Sequence, residues 1–146
     1  KVPNFTEENQ KFEIGKAIVL EEGTDVSIFA TGHLVWPSIE ASRILKNEGL
    51  SVELINIHTI KPLDKETILK SVEKTKCVVT AEEHQMNGGL GDSIAQLLCR
   101  EKPSPLEMVA VNDTFGESGP PMKLMEKYGL SKSDIISSVK KVINRK

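Results

Sequence analysis

Short runs of β-branched and apolar residues alternate along this chain with longer stretches of helical period, and that alternation leaves few folds open. Residues 17–20 (AIVL) read as a short strand, 21–25 as a Gly-containing turn, and 26–30 (VSIFA) as a strand apolar enough to be buried on both faces. Residues 52–57 (VELINI), 77–80 (CVVT) and 108–111 (MVAV) repeat the theme. Strands that alternate with helices assemble into a mostly parallel sheet with helices on its faces. The sequence therefore predicts an α/β fold of three layers, αβα, around a twisted, mostly parallel sheet of about five strands.

The intervening stretches carry helix signals. Over 34–47, Leu34, Val35, Ala41 and Leu45 gather on one side, with Glu40, Arg43 and Asn47 opposite, and Gly49 closes the helix. Pro37 is compatible because the first turn lacks intrahelical N–H partners. Asp64 is placed to cap a second helix with Ile68, Leu69 and Val72 inward, and Pro62 suits the turn before it. A third helix is predicted over 90–100 with Leu90, Ile94, Leu97 and Leu98 facing the sheet, followed by an extended link at Pro103 and Pro105. Ser131 and Asp134 resemble a capping box, with Asp in place of Glu, before a stripe of Ile135, Val139, Val142 and Ile143 and a basic tail. The order is β-β-α-β-α-β-α-β-α-α, and right-handed crossovers restrict its topology.

At 146 residues the chain can bury the core of one domain. Its 19 Lys and Arg are interspersed with 21 Asp and Glu, and the absence of a basic stripe argues against nucleic acid as a partner. No apolar run approaches the roughly 20 residues of a membrane span and no signal-peptide pattern opens the chain, so a soluble, cytoplasmic protein is expected. Cys77, at a strand start, and Cys99, inside a helix, read as small apolar residues of a reduced chain. Residues 1–11 (KVPNFTEENQK) show no clear period and read as a linker or the remnant of a preceding domain, with the folded unit at 12–146.

Residues 81–92 (AEEHQMNGGLGD) are the most suggestive segment, since they follow a strand and run into a helix, where open α/β sheets bind ligands. Gly88, Gly89 and Gly91 could open that helix and present N–H groups to an anion or nucleotide in a regulatory binding module. The spacing is not GxGxxG and lacks the Lys-Ser/Thr of a phosphate loop, so a tight turn with close helix-strand packing is the favoured reading. Glu82, Glu83 and His84 could serve acid/base or metal chemistry, but adjacent residues do not converge on one point, which favours a hydrogen-bonded structural or interface role. His33 follows another strand and belongs to the same rim; His58 reads as a side chain satisfied at a strand end. Zinc-ligand spacing, a GxSxG elbow and an activated cysteine are all absent. Trp36, in the first turn of its helix, could pack on a neighbouring domain or over its own.

Several stretches in order resemble one family: residues 12–17 (FEIGKA), 25–32 (DVSIFATG), 61–64 (KPLD), Glu82-Glu83-His84 with 88–91 (GGLG), 115–119 (FGESG) and 128–130 (YGL). Together they resemble the C-terminal domain of transketolases, especially bacterial and archaeal forms split into two chains. KPLD and the EE-plus-GG pattern also occur in the beta subunits of 2-oxo acid dehydrogenases and in 1-deoxyxylulose-5-phosphate synthases, whereas the FGxSG and YGL tail looks more like transketolase.

The resemblance implies an antiparallel first strand. It implies an enzyme of the pentose phosphate pathway type that moves a two-carbon ketol unit between sugar phosphates. Its thiamine diphosphate and divalent cation (Mg or Ca) would lie between diphosphate- and pyrimidine-binding domains, on the same or a separate chain, in a homodimer or heterotetramer. The motifs for those roles are not in these residues. No catalytic, cofactor-binding or metal residue is carried over, and the domain by itself is expected to bind no cofactor and to be inactive.

Overall fold

The structure is a computed structural model and describes residues 3–6 and 8–146. The apolar runs form one five-stranded sheet in the order β1-β3-β2-β4-β5, with β1 Ile18–Glu21, β2 Val26–Ala30, β3 Val52–Asn56, β4 Val78–Gln85 and β5 Leu106–Val111. Only β1 is antiparallel, on the edge beside β3; β3, β2, β4 and β5 run parallel. All five residues of β2 are buried, as expected of a central strand covered on both faces.

Period-two alternation sorts the two cores. Val26, Ile28 and Ala30 of β2 join Leu54, Val79 and Ala81 on one face, beneath α1 (Val35–Asn47), α4 (Pro121–Lys127) and α5 (Lys132–Ile143). Phe29 joins Ile55 and Val78 on the other, beneath α2 (Lys65–Thr75) and α3 (Leu90–Glu101). Each fully buried Leu or Ile of these clusters contributes about 1.5–3 kcal/mol of transfer free energy. The result is the three-layer αβα arrangement. A 3-10 turn at Gly32–Leu34 precedes α1, and at the other end the N–H of Gly49 (φ +90°) donates to Lys46 O at 3.0 Å.

The caps form as the sequence reads. Asp64 accepts from the Thr67 N–H (3.2 Å) and hydroxyl (2.9 Å) at the start of α2, and also from the Ala17 N–H (2.8 Å). One side chain thus ties the segment before β1 to a helix 47 residues away. Burial pushes this carboxyl up, but the hydrogen bonds from Ala17 and Thr67, with nearby Lys16, hold it below the usual aspartate value. Ser131 and Asp134 make a reciprocal capping box at α5.

Some boundaries differ from expectation. The strand predicted at 77–80 is β4, and it continues to Gln85, carrying Glu82, Glu83 and His84 inside the strand rather than beyond it. The reason is tertiary: past an irregularity after Ala81, Gln85 pairs with Val111 and the Met86 N–H donates to Val111 O at 2.9 Å. β5 likewise begins at Leu106, two residues earlier than predicted, because Val78 pairs there. Cys77 is fully buried, its thiol directed at Asp25 O and pushed up by burial. Cys99 does not share that setting. It lies on the solvent face of α3, because Ile94, Leu97 and Leu98 take the inward positions. Trp36 lies half-buried beneath Phe5 (ring centroids 6.4 Å apart), with Arg43 over its ring at 5.7 Å.

One buried polar group escaped the sequence reading. The Ser27 hydroxyl meets those of Ser71 and Thr75, each at 2.6 Å, and Ser71 donates to Glu53 at 2.6 Å. Glu53 also pairs with Lys74 at 2.6 Å.

Candidate functional site

The chain leaves central β2 through α1 to reach β3 on one side, then crosses through α2 to β4 on the other. Such a reversal opens a crevice at the carboxyl ends of the two strands that flank it, here β2 and β4. A cleft of about 330 Å³ lies at that point, and its lining includes His33, Glu82, Glu83, His84, Gly88 and Gly89, with Thr31, Gly32 and Ile60. Six of the seven residues singled out in the sequence therefore share one cleft. The seventh, Gly91, sits behind it in the first turn of α3.

Glu82 organises the crevice. It is 1% exposed, and its two carboxylate oxygens accept the N–H groups of Leu90 and Gly91, both at 2.7 Å. These are among the N-terminal donors of α3 that no carbonyl of the helix can satisfy, and a carboxylate there also opposes the positive end of the helix dipole. The helix has no side-chain cap from its own N-cap residue, Gly89; the strand supplies the acceptor instead.

The glycines follow from this contact. A Cβ on Gly89 would lie 2.1 Å from Glu82 Oε2, and one on Gly91 would lie 2.8 Å from Thr80 Oγ1 and 2.9 Å from Met108 Sδ. Gly89 admits the carboxylate, and Gly91 lets α3 close on β4 and β5. Gly88 turns the chain at φ +83°, and its N–H donates to Asp92 at 3.2 Å.

The remaining candidates stand at the mouth. His33, Glu83 and His84 are exposed, and His84 Nδ1 lies 2.8 Å from Gln85 O. His58 is outside the cleft. Its Nδ1 meets the Thr59 hydroxyl at 3.1 Å, Phe12 packs edge-on at 5.1 Å, and Nε2 has no partner among the described residues. Among the described residues no group of three or more His, Cys, Asp or Glu is placed to hold a metal ion, and no helix is long and apolar enough to cross a membrane.

A second cleft that sequence reasoning missed, of about 460 Å³, lies next door. It is lined by His33 and Pro37 of the β2–α1 passage, Met122 and Met125 of α4, and Leu130 to Ser133 before and in α5. Its signal was weak, because the two methionines belong to a short helix whose position only the fold decides.

A doubly wound α/β domain with an antiparallel edge strand, and a crevice tied shut at one wall by its own glutamate, is the class these observations define. Residues 15–135 match the family described as "Transketolase, C-terminal domain", and the chain belongs to that family. It is 44% identical, over 95% of its length, to 43% of a "6-deoxy-6-sulfo-D-fructose transketolase subunit SqwH" from Clostridium sp. (strain MSTE9). It is 35% identical, over 90% of its length, to 21% of a "1-deoxy-D-xylulose-5-phosphate synthase 1" from Geobacter sulfurreducens. Among solved structures it matches a "Split gene transketolase, inactive beta4 tetramer" with a TM-score of 0.94 and 41% identity, covering 98% of this chain and 47% of that one. The chain spans less than half the length of each of these proteins.

Proposed function

We propose that this domain, residues 12–146, is the non-catalytic C-terminal part of an enzyme that transfers a two-carbon ketol unit between sugar phosphates. Residues 1–11 lead in from the domain before it. Thiamine diphosphate and its divalent cation are held by diphosphate- and pyrimidine-binding domains on the same or a partner chain, in a dimeric or tetrameric cytoplasmic assembly.

The observation that carries the reading is the position of Glu82. In folds of this topology the helix N-terminus at the crevice offers N–H groups to phosphate. Here Leu90 and Gly91 give theirs to Glu82, and exposed Glu83 adds a further carboxylate to the lining. A diphosphate needs N–H or cationic donors, and these residues do not fit it.

Calorimetric titration of the chain with thiamine diphosphate and magnesium is expected to give no binding heat; tight binding overturns the proposal. Joined to the preceding domains, the chain is expected to support ketol transfer from a ketose phosphate to an aldose phosphate. The higher identity to the transketolase subunit, 44% against 35%, favours this over the synthase reading.

A further inference from the structure

The exposed large apolar side chains of the domain are unevenly spread. Phe12, Ile14, Val19, Ile44, Ile60, Phe115 and Met122 are exposed. All but Val19 and Ile44 belong to segments at the carboxyl end of the parallel strands, Ile14 because antiparallel β1 begins beside the end of β3 and its neighbour Gly15 lies against Pro62. Phe12 packs on His58, just past β3; Ile60 lines the crevice; Phe115 is on the loop after β5; Met122 borders the second cleft beside His33. Single exposed apolar residues are ordinary, but several gathered around one end mark an interaction face.

Phe115 is not a side chain that failed to find a core. Its carbonyl accepts from the Tyr128 hydroxyl at 3.1 Å, the neighbouring Thr114 O accepts from Gln85 Nε2 at 2.6 Å, and Glu117 pairs with Lys127 at 2.6 Å. The loop is braced on both sides of a ring left 98% exposed.

The same end receives the N-terminal segment. Phe5 stacks on Trp36 at the start of α1, and Phe12 reaches His58 beyond β3, so these two described aromatic residues ahead of β1 both lie at this end. In the relatives, more than half of the length lies outside the matched C-terminal domain.

We infer that the carboxyl end of the sheet docks the preceding half of the polypeptide found in those relatives, with Phe115 and Met122 on one side of the crevice and Phe12, Ile14 and Ile60 on the other as apolar anchors. This rests on the proposal that the domain works joined to such a half. The occupant presents apolar patches around a polar centre that meets His33, Glu83 and His84. Buried apolar anchors ringed by polar groups carry most of the binding energy of such interfaces.

Hydrogen exchange tests it, comparing the 146-residue chain alone with the same chain fused to the preceding half of the Clostridium relative. Among the described residues, no backbone N–H of 114–119 donates a hydrogen bond, so these amides exchange fast in the isolated chain. Docking is expected to slow exchange at 114–119 and at 58–61 by at least about tenfold, which corresponds to about 1.4 kcal/mol. Phe115→Ser with Met122→Ser is expected to abolish that protection, and Ile44→Ser to leave it intact. Protection confined to other surfaces overturns the docking face while keeping the joined domain. No protection anywhere overturns the joined domain itself. Concentration-dependent protection of the same segments in the isolated chain overturns the occupant in favour of a second copy.

Discussion

Glu53 on β3 and Glu82 on β4 are both buried carboxylates in parallel strands, 3% and 1% exposed, and they are stabilised in opposite ways. Glu82 is held by two backbone N–H groups whose positions the helix fixes. Glu53 is held by side chains, the Ser71 hydroxyl and the Lys74 ammonium, and Lys74 continues to exposed Glu22 at 2.8 Å. The hydrogen bonds it donates to Glu22 and Glu53 hold that ammonium above the usual lysine range. A side-chain partner can turn to water or to another carboxylate when its acceptor is lost. A buried helix N–H cannot. The wall of the crevice is therefore the less forgiving of the two regions.

The sharpest break of this contrast is Gly89→Ala. Its Cβ would occupy the place of Glu82 Oε2, displacing the carboxylate and stranding two buried donors at about 1–3 kcal/mol each. A loss of about 3 kcal/mol in urea unfolding is expected, a large part of a typical domain's stability. Combined with Glu82→Ala the effects should be far from additive, since both remove the same contact; additive losses would show that Gly89 acts independently of Glu82.

Glu82→Gln comes next, at about 2 kcal/mol, because the amide keeps one acceptor but turns an N–H₂ toward the other donor. Equal stability of Gln and Glu at this position would remove the charge from the account.

Asp64 resembles Glu82 in accepting backbone N–H groups on both oxygens, so Asp64→Asn, which turns an N–H₂ toward one of those donors, is expected to cost about 1 kcal/mol near neutral pH. Its carboxyl is held below the ordinary value, so the stabilisation is fully present above the unfolded pKa of about 3.9 and is lost as pH falls through the lower folded pKa. Unfolding followed from pH 6 down to about pH 2 should show a shallower acid decline in the Asn variant. A decline of unchanged steepness would assign the acid sensitivity to other carboxylates.

The smallest effect is expected for Glu53→Gln, about 0.5–1 kcal/mol in thermal or urea unfolding, since Ser71 keeps an acceptor and Lys74 keeps Glu22. A loss as large as that of Glu82→Gln would erase the distinction between the two regions.

The elements themselves were legible because their signals are local. Val26–Ala30 could be read as a doubly buried strand from five consecutive residues, and the Ser131–Asp134 cap from a spacing of three. The candidate rim was legible as a set of residue types following a strand. What each member does was not. Whether Glu82 faces solvent, an anion or a helix depends on β4 extending to Gln85, and that extension depends on pairing with Val111, 26 residues further along. Ser27, Ser71 and Glu53 gave no signal, because two hydroxyls and a carboxylate scattered over three elements become a network only when α2 lies on β2 and β3.

The sequence by itself thus determined the α/β class, the helix caps, the family resemblance and the segment that forms the crevice, since periodicity, capping and motif order are properties of neighbouring residues. The tertiary structure alone decided that β2 and β4 lie side by side, that Glu82 takes the N–H groups of α3, and that Phe12, Ile60, Phe115 and Met122 share one end of the sheet. Those are long-range juxtapositions, set by which apolar faces bury best against one another once the strands and helices are in place.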